Sequence, residues 1–432
     1  MRSFLICSTP VHGHVAPLLS VAKYLVEQGH RVRFLTGQRY ADAVQNTGAE
    51  FLALPAEADY DDSDMNAAFP GRVGRTGVEG IRWDVSNIFL KPAPAQIRAV
   101  DEAVAAEPVD AILVESMFIG AAGLLVRPRS ERPAIANLGI IPLGVESKDT
   151  APFGLGILPK PGVLGRARNA MLDVLTKKII FGGVQKEAEQ MMLEATGQKL
   201  DGFFMSGASK ADAIVQFTVP GFEYVRSDLP KSVHFVGPMS RVTKSDGPLP
   251  EWWGDLDGSR PVVHVSQGTV ANTDYDELIT PTVTALANDD VLVVVSTGGR
   301  PLSTLPSPLP ANVRAVEYVP YDRLLPLTDV YVSNGGYGGV HYALEHGVPL
   351  VVAGKTEDKA EVAARAQWTG VGVGLRTNRP TPEQVGAAVR RVLADSSYTV
   401  RSKTIGAEIA ASSGLSGLES VIEALVPHPV EG

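Results

Sequence analysis

Residues 4–36 read FLICSTPVHGHVAPLLSVAKYLVEQGHRVRFLT, and their pattern sets the fold class. Residues 4–8 form a short apolar run typical of a buried strand, and residues 32–36 form a second one. Between them apolar residues recur at helical spacing, with Pro17 where the helix is expected to begin and Gly29 where it is expected to end. A strand, a helix and a strand at this spacing predict a parallel sheet with helices on its faces.

The alternation of strands and helices continues through both halves of the chain. In the first half, further strand candidates occupy residues 51–54, 111–115, 134–141, 213–216 and 233–236. The pattern stops over residues 241–253, which contain KSDGP and lack periodicity, as expected of a linker. It then restarts, with strand candidates at residues 262–266, 291–296, 313–318, 330–333 and 350–353. The chain is therefore expected to form two doubly wound, Rossmann-like α/β domains in tandem.

The two predicted domains cover residues 1–240 and 241–400, and residues 401–432 are expected to form helices that cross back to the first domain. Open parallel sheets bind ligands at the carboxyl ends of their strands, so a cleft between the two domains is the predicted ligand site. Residues 59–80 interrupt the pattern and are rich in Asp, Gly and Arg. We expect them to form a loop or short helices over this cleft.

The composition argues against several classes of protein. The 432 residues carry a formal net charge of −9 and no block rich in Lys and Arg, which argues against a nucleic-acid partner. The single cysteine, Cys7, rules out an intrachain disulfide and a cysteine zinc cluster. No run of about 18 apolar residues occurs, so no membrane span is expected, and the apolar run at the amino terminus is too short for a signal peptide. We expect a cytoplasmic protein that is a monomer or a homodimer.

A glycine-rich turn follows one predicted strand of the second domain, where residues 333–340 read SNGGYGGV. Glycines let the backbone approach a ligand closely, and the free N–H groups at the start of the next helix favour an anion such as phosphate. Taken alone, such a turn is more typical of a plain connection between a strand and a helix. The residues around the turn therefore decide between the two interpretations.

Those surroundings carry a resemblance to a known family. The turn lies between YVPY at residues 318–321 and the acidic pair at residues 357–358, and this whole segment resembles the donor-binding signature of the family-1 glycosyltransferases. These enzymes include the UDP-glycosyltransferases and the macrolide glycosyltransferases. GHVAP at residues 13–17 resembles the family's Gly-His-x-x-Pro motif, and SQGT at residues 266–269 resembles its Ser-x-Gly-Ser motif. The resemblance implies the GT-B fold, inverting chemistry and no bound metal, and no ligand spacing typical of a tight metal site occurs in the sequence.

The resemblance implies a catalytic pair in the first domain. His14 matches the family's general base, which takes the proton from the acceptor hydroxyl, and an ordinary histidine titrates near 6.5 and suits that role. His12 does not match the motif. Glu115 stands where the family usually has an Asp that orients the base. The alternatives are a solvated histidine in a turn and a glutamate that faces solvent at a strand end.

The resemblance also implies where a nucleotide-sugar donor, with UDP or dTDP, contacts the second domain. The N–H groups of the glycine-rich turn and two hydroxyls from the facing loop are expected at the diphosphate. The expected donor-binding residues are Ser266, Gly268, Thr269, Tyr318, Val319, Tyr321, Asn334, Gly336, Gly338, Gly339, Val340, Tyr342, Glu357 and Asp358.

Several of these positions depart from the family pattern. Tyr318 replaces the Trp that stacks on the nucleobase, and an aromatic plane still serves there. Tyr321 replaces a Gln, and Tyr342 replaces a ribose-binding Glu. Asn334 replaces a His, so it brings an amide and no charge. The pair at residues 357–358 replaces Asp/Glu-Gln, so it accepts hydrogen bonds from sugar hydroxyls but lacks the amide donor.

The first domain is expected to bind the acceptor. Apolar side chains near Glu115 and in the segment before the fourth strand suit a phenol, a flavonoid, a macrolide or a similar natural product. Core packing is the alternative for each of them. The candidates are Phe69, Trp83, Met117, Phe118, Ile119, Leu138 and Ile140.

The sequence thus predicts an inverting glycosyltransferase that moves a sugar, most readily glucose from UDP-glucose, to a hydroxyl of a small apolar natural product. No cofactor and no metal are expected besides the donor. Two alternatives are a sugar-nucleotide 2-epimerase and a non-catalytic protein that binds nucleotide sugars. An NAD-dependent enzyme is disfavoured, because the first strand is followed by His12-Gly13-His14 and not by Gly-x-Gly-x-x-Gly.

Overall fold

A computed structural model describes residues 1–239, 248–269 and 272–426. The linker predicted at residues 241–253 lies in part outside the described residues.

The first sheet is built from the first half of the chain. Its strands in the described residues are β1 (Ser3–Cys7), β2 (Arg31–Thr36), β3 (Glu50–Ala53), β4 (Ala111–Glu115), β5 (Ala134–Gly139), β6 (Ala213–Gln216) and β7 (Val233–Phe235). They pair in the order β3-β2-β1-β4-β5-β6-β7, and every pair is parallel. The order reverses between β1 and β4, and a crevice opens at such a point above the carboxyl ends of the strands.

The second sheet repeats this arrangement after the described chain resumes. Its strands are β8 (Val262–Ser266), β9 (Leu292–Ser296), β10 (Val313–Val316), β11 (Val330–Ser333), β12 (Leu350–Ala353) and β13 (Gly372–Leu375). They pair in parallel in the order β10-β9-β8-β11-β12-β13. The structure therefore confirms two doubly wound parallel α/β sheets, the second of which reverses its order between β8 and β11.

Helices cover the faces of the first sheet. The described α-helices are α1 (His12–Glu27), α2 (Ala41–Gln45), α3 (Met65–Ala68), α4 (Gly77–Asp84), α5 (Ala93–Ala106), α6 (Gly120–Leu125), α7 (Gly162–Val174) and α8 (Gly182–Thr196). Gly29 follows α1 with a φ of 82°, as expected of a left-handed helix end. The predicted start at Pro17 is wrong, because α1 begins at His12 and contains the proline.

The remaining helices follow in the second half of the chain. They are α9 (Ile279–Leu286), α10 (Tyr321–Leu324), α11 (Tyr337–Glu345), α12 (Lys359–Thr369), α13 (Pro382–Ala394), α14 (Ser396–Ala411) and α15 (Gly414–Ala424). Leu418 and Ile422 of α15 are buried in the core of the first sheet, beside Val21 of α1 and Val215 of β6. None of the helices in the described ranges is both long and apolar enough to cross a bilayer.

The two sheets are joined by a buried set of charges. Arg365 on α12 donates to the Glu223 carboxylate at 2.9 Å and to the Glu361 carboxylate at 2.7 Å. Arg365 also donates at 3.1 Å to the carbonyl of Leu143, which belongs to the first half of the chain. All three charged residues are buried. Because a buried charge is costly without its partners, this set holds α12 firmly against the first domain.

The carboxyl ends of the two sheets meet across a cleft. Gln216, the last residue of β6, donates from Nε2 to the hydroxyl of Tyr337, the first residue of α11. The Thr218 hydroxyl lies 2.6 Å from Nε2 of His341 on the same helix. The turn before α11 is thereby set opposite the strand ends of the first sheet.

Candidate active site

The His14 and Glu115 side chains meet at the point where the first sheet reverses its order. His14 lies in the first turn of α1, which follows β1, and Glu115 is the last residue of the adjacent strand β4. Nδ1 of His14 is 2.9 Å from Oε2 of Glu115. The carboxylate is buried, and it also accepts from the main-chain N–H of Thr9 at 3.2 Å and of Met117 at 2.6 Å. Glu115 therefore does not face solvent.

This contact sets the protonation of the imidazole. A carboxylate has no proton to donate, so Nδ1 of His14 carries the hydrogen and Nε2 is left as the acceptor. Burial by itself lowers the pKa of His14, but the charge and hydrogen bond of Glu115, together with the charges of Asp358 and Glu357, raise it above 6.5. Burial raises the pKa of Glu115, because it also disfavours the charged form of a carboxyl group. The His14 charge and hydrogen bond, with the two main-chain donors, bring this pKa below 4.5. The pair is arranged to accept a proton at Nε2 and to stabilise the imidazolium that results.

Asp62 fixes the start of the helix that carries the base. Its Oδ2 accepts from the main-chain N–H of His12 at 2.6 Å, and its Oδ1 accepts from the Tyr40 hydroxyl at 2.6 Å and from Arg39. A carboxylate at the amino end of a helix is stabilised by the free N–H groups there. This contact explains why α1 starts before Pro17. Sequence reasoning missed Asp62, which lies fifty residues away in an irregular segment.

The turn before α11 presents main-chain donors to the cleft. The first three N–H groups of a helix have no partner within it, and here they belong to Tyr337, Gly338 and Gly339. Gly338 is exposed, and a Cβ atom built on it meets nothing within 4 Å. The prediction for Val340 is wrong, because its N–H already donates to the Gly336 carbonyl at 3.1 Å.

The loop after β8 lies beside this turn. Nδ2 of Asn334 donates to the Gln267 carbonyl at 2.6 Å and so ties the two loops together. The Ser266 side chain is buried, and its oxygen accepts from the N–H of Gly268 at 3.2 Å; the expected contact of its hydroxyl with the diphosphate stays a prediction. Gly268 and Thr269 are exposed in the loop, where Gly268 has a φ of 73° that favours glycine.

Tyr318 presents an open aromatic face after β10. Its side chain is 65% exposed. It lies over a tight turn, because a Cβ atom on Gly299 would stand 2.2 Å from the Tyr318 hydroxyl. Val319 packs beside Trp252 and Trp253. The geometry therefore leaves the Tyr318 ring free to stack on a planar group.

Two other predicted donor residues pack into the domain. The Tyr321 hydroxyl lies 3.3 Å from Nε2 of His264 and 3.4 Å from the Tyr331 hydroxyl. The rings of Tyr321 and Tyr342 contact each other at a centroid distance of 5.7 Å. The prediction that Tyr321 contacts the donor is wrong, because its polar end is turned inward onto the buried His264. Burial lowers the pKa of that histidine to about 4, so it is neutral.

The acidic pair Glu357 and Asp358 follows β12 and lies close to the base. Both charges raise the pKa of His14, which comes from the other domain. Burial, followed by the charge of Glu357, raises the pKa of Asp358 to about 6. Glu357 has a φ of 57°, a left-handed conformation that is strained for a residue other than glycine, and it pairs with Lys359 at 2.8 Å.

The predicted acceptor residues divide into two groups. Phe69, Trp83 and Met117 are partly exposed, and the rings of Phe69 and Trp83 contact each other at 6.2 Å. The other four have their side chains buried within the two hydrophobic cores that flank the sheet, which favours the alternative of core packing for them: Phe118, Ile119, Leu138 and Ile140. Phe89, which lies 6.0 Å from the His14 ring, joins the partly exposed group.

Possible metal ligands gather at one place within the described residues, where His30, Glu419 and Glu423 approach each other. This place is outside the cleft, at the contact of α1 and β2 with α15. His30 is bonded to Glu419 through Nε2 and accepts from the N–H of Arg2 at Nδ1, and the other Glu419 oxygen accepts from the Tyr24 hydroxyl. Both ring nitrogens of His30 and both carboxylate oxygens of Glu419 therefore already take part in hydrogen bonds within the protein.

Comparisons with known proteins agree with this architecture. Residues 281–423 match the family model described as Erythromycin biosynthesis protein CIII-like, C-terminal domain. The chain is 40% identical over 423 residues to 4'-demethylrebeccamycin synthase of Lentzea aerocolonigenes, with 98% of this chain and 99% of that protein covered. It is 34% identical over 433 residues to UDP-glucosyltransferase B1 of Starmerella bombicola, with 97% of each covered. The crystal structure of the glycotransferase of kitacinnamycin has the same fold, with a TM-score of 0.73, 21% identity and 99% of both chains covered.

Proposed function

The chain belongs to the family-1 glycosyltransferases and has their GT-B fold, and on that premise we propose a specific reaction for it. It transfers a sugar from a nucleotide sugar to a hydroxyl of a small apolar natural product, with inversion at the anomeric carbon. We expect UDP-glucose to be a better donor than dTDP-sugars. Phenols, flavonoids and macrolides are the acceptor classes that we expect.

One observation carries this proposal. His14, paired with Glu115 in the first domain, lies within electrostatic range of the carboxylates of Glu357 and Asp358 from the second domain, which brings a base and a set of hydrogen-bond acceptors together at the cleft. Nε2 of His14 takes the proton of the acceptor hydroxyl while the hydroxyl oxygen attacks the anomeric carbon. The bond from that carbon to the diphosphate breaks as the new bond forms. A single displacement from the opposite side inverts the configuration.

The leaving diphosphate needs a partner for the charge that it gains. The N–H groups of Tyr337, Gly338 and Gly339 at the start of α11 supply donors and the positive end of a helix dipole. Such preorganised donors stabilise a leaving group without a metal. We therefore propose a metal-free reaction, with Glu357 and Asp358 accepting hydrogen bonds from the sugar hydroxyls.

Support for the identity of the substrates comes from two sources. Partly exposed apolar side chains lie near the base, with Phe89 beside His14 and Phe69 beside Trp83, and such a wall suits an apolar acceptor. The name 4'-demethylrebeccamycin synthase favours a natural-product acceptor, and the name UDP-glucosyltransferase B1 favours UDP-glucose.

The test is a mass-spectrometric screen of UDP- and dTDP-sugars against mixed phenolic, flavonoid and macrolide acceptors, with and without EDTA. We expect a glycoside from UDP-glucose, and its anomeric proton coupling should show the β-configuration from the α-linked donor. Conversion of the donor to an isomeric sugar nucleotide would support an epimerase. Tight UDP binding with neither transfer nor hydrolysis would support a non-catalytic protein. Loss of activity with EDTA would overturn the metal-free mechanism.

A further inference from the structure

Tyr60 lies on a short loop that is fixed at both ends. On one side, Oδ2 of Asp59 accepts from the main-chain N–H of Gln38 at 3.0 Å. On the other side, Oδ2 of Asp62 accepts from the N–H of His12 at 2.6 Å, at the start of the helix that carries the catalytic base. The loop is thereby attached at once to the turn that follows β2 and to the start of α1. Tyr60 is held in one place relative to His14 without a ligand.

The phenol ring of Tyr60 packs against Phe69, one of the partly exposed aromatic side chains, but its hydroxyl has no hydrogen-bond partner in the described part of the chain. The ring meets Phe69 edge to face at a centroid distance of 4.8 Å. The hydroxyl oxygen is buried and has no hydrogen-bond partner among the described residues. A buried polar group without a partner is rare in folded proteins and usually has a functional reason.

The nearby carboxylates are already occupied by other donors. Both oxygens of Asp62 are taken, by His12 on one side and by Tyr40 and Arg39 on the other. Both oxygens of Glu115 are also taken, as its bonds to His14, Thr9 and Met117 show. The Tyr60 hydroxyl makes no hydrogen bond to any of these groups and so belongs to neither network.

The electrostatic surroundings determine which way this hydroxyl bonds. Burial raises the pKa of Tyr60 far above that of an ordinary phenol, and the charges of Glu115 and Asp62 raise it further. The phenol therefore keeps its proton at every pH at which the enzyme is studied. In the field of two carboxylates, it is suited to donate to a neutral oxygen.

We propose that Tyr60 is a specificity-determining residue of the acceptor site, whose hydroxyl donates a hydrogen bond to a carbonyl or ether oxygen of the acceptor. This oxygen is a different atom from the hydroxyl that loses its proton to His14. The inference rests on the proposed function, because it assumes that the acceptor binds in the cleft of the first domain. It selects oxygenated aromatic acceptors over aromatic hydrocarbons that carry a single hydroxyl.

Two phenols of similar size test this inference. Both 7-hydroxycoumarin and 2-naphthol have two fused six-membered rings and one phenolic hydroxyl, but only the coumarin has a lactone. Equilibrium binding to the full chain is measured by calorimetry, with UDP present. Tyr60→Phe keeps the ring on Phe69 and removes only the hydroxyl. We expect its Kd for 7-hydroxycoumarin to rise about three- to ten-fold, the loss of one hydrogen bond, while its Kd for 2-naphthol and for UDP stays within about two-fold.

Tyr224→Phe is the matched control. The Tyr224 hydroxyl is also buried without a partner in the described residues, but its ring packs 4.4 Å from the Arg365 guanidinium at the domain contact. We expect this variant to bind both phenols as the wild type does. Equal weakening of both phenols in Tyr60→Phe would show a structural role and overturn the inference. Unchanged binding of 7-hydroxycoumarin in Tyr60→Phe would overturn it as well.

The failure of this inference is distinguishable from the failure of the proposed function. Consumption of UDP-glucose by the wild type is followed separately. If no donor is consumed, the proposed reaction fails, and the contrast between the two phenols still decides the role of Tyr60. If donor is consumed but neither phenol binds the wild type, the inference about Tyr60 is overturned and the reaction stands.

Discussion

Nδ1 of His14 lies 2.9 Å from Oε2 of Glu115, although the two residues are 101 positions apart in the chain. The helix that carries His14 follows β1, and Glu115 is the last residue of β4. These two strands are neighbours in the sheet, with Cys7 paired with Val114. The longer glutamate therefore reaches the imidazole where the family usually has an aspartate. Its two main-chain donors, Thr9 and Met117, hold the carboxylate in that position.

His14→Ala removes the proposed base. Turnover should fall about a hundred-fold or more, as expected of a lost general base, and the Kd for UDP should stay nearly unchanged. His12→Ala is the control, because His12 is exposed two residues away and its contact with Asp62 uses only the main chain. Steady-state kinetics and UDP calorimetry measure both effects. Wild-type turnover in a folded His14→Ala protein would refute the base assignment.

Glu115→Gln should change the pH dependence of the reaction. The base must be neutral to act, so kcat/KM of the wild type rises with pH through a His14 pKa above 6.5. Without the Glu115 charge, burial is opposed only by the charges of Asp358 and Glu357, so the His14 pKa should fall and the acid limb should move to lower pH. The maximal rate should also fall, because the imidazolium loses its partner.

Glu115→Asp is the companion variant for this profile. It keeps the charge, so its acid limb should stay nearer to that of the wild type, at a reduced rate. Identical pH–rate profiles in the wild type and in both variants would show that Glu115 does not support the base.

Gly338→Val places a branched side chain in the cleft above the first turn of α11. No protein atom lies within 4 Å of its Cβ position, so the substitution is expected to act on the ligand and not on the fold. UDP should bind at least about ten-fold more weakly, or about 1.4 kcal/mol. Gly183→Val is the matched control, since Gly183 is also the second residue of a helix with open space at its Cβ position. Unchanged UDP affinity in Gly338→Val would place the diphosphate elsewhere.

Arg365→Ala should weaken the contact between the two domains. It leaves the buried Glu361 carboxylate without its cation and Glu223 with Arg226 alone, and breaking a buried pair in this way typically costs about 3–5 kcal/mol. Arg390→Ala is the control, because its pair with Asp289 is exposed and such pairs contribute about 0–1 kcal/mol. Urea unfolding at pH 7 measures both variants. Equal losses of stability in the two would contradict a dominant role for the buried set.

The same set of charges predicts how stability depends on pH. The Glu223 pKa is held below its ordinary 4.5, since the charges of Arg365 and Arg226 outweigh the effect of burial. A lowered carboxylate pKa stabilises the folded state above the unfolded pKa, and this stabilisation is lost as the pH falls through the folded value. The wild type should therefore lose stability below about pH 4.5, and Arg365→Ala should lose less over the same range.

Glu357→Gly separates the strain at this position from its function. A glycine relieves the left-handed φ of 57°, which is expected to stabilise the fold by about 0.5–1 kcal/mol. If the carboxylate accepts from a sugar hydroxyl, kcat/KM for UDP-glucose should fall about ten-fold or more, the loss of a hydrogen bond to a charged group. Thermal unfolding and donor kinetics give the two readouts. Wild-type donor kinetics would remove Glu357 from the sugar site.

Local patterns in the chain were enough for the architecture and for the candidate chemistry. Apolar runs and helical spacing placed the described strands of the first sheet and all of those of the second except β13, which the sequence analysis missed. Gly29 marked the end of α1, because strand and helix periodicity are properties of a few consecutive residues. The motifs at residues 13–17, 266–269 and 333–340, through their resemblance to the family, predict His14 as the base and the glycine-rich turn as the phosphate site. The fold that they predicted is the one observed.

Tertiary contacts settled which of those groups are available for chemistry. Asp62 moved the start of α1 to His12, and main-chain bonding within α11 used the N–H of Val340. The side chain of Leu138 and the hydroxyl of Tyr321 point into the protein interior. No local sequence pattern distinguishes such side chains from side chains that line a binding site. The Tyr60 hydroxyl has no partner in the described residues, whereas the nearby carboxylates accept hydrogen bonds from other donors. Each of these outcomes depends on strand order and on the positions of distant backbone groups, and such long-range packing leaves no periodic trace in the residues themselves.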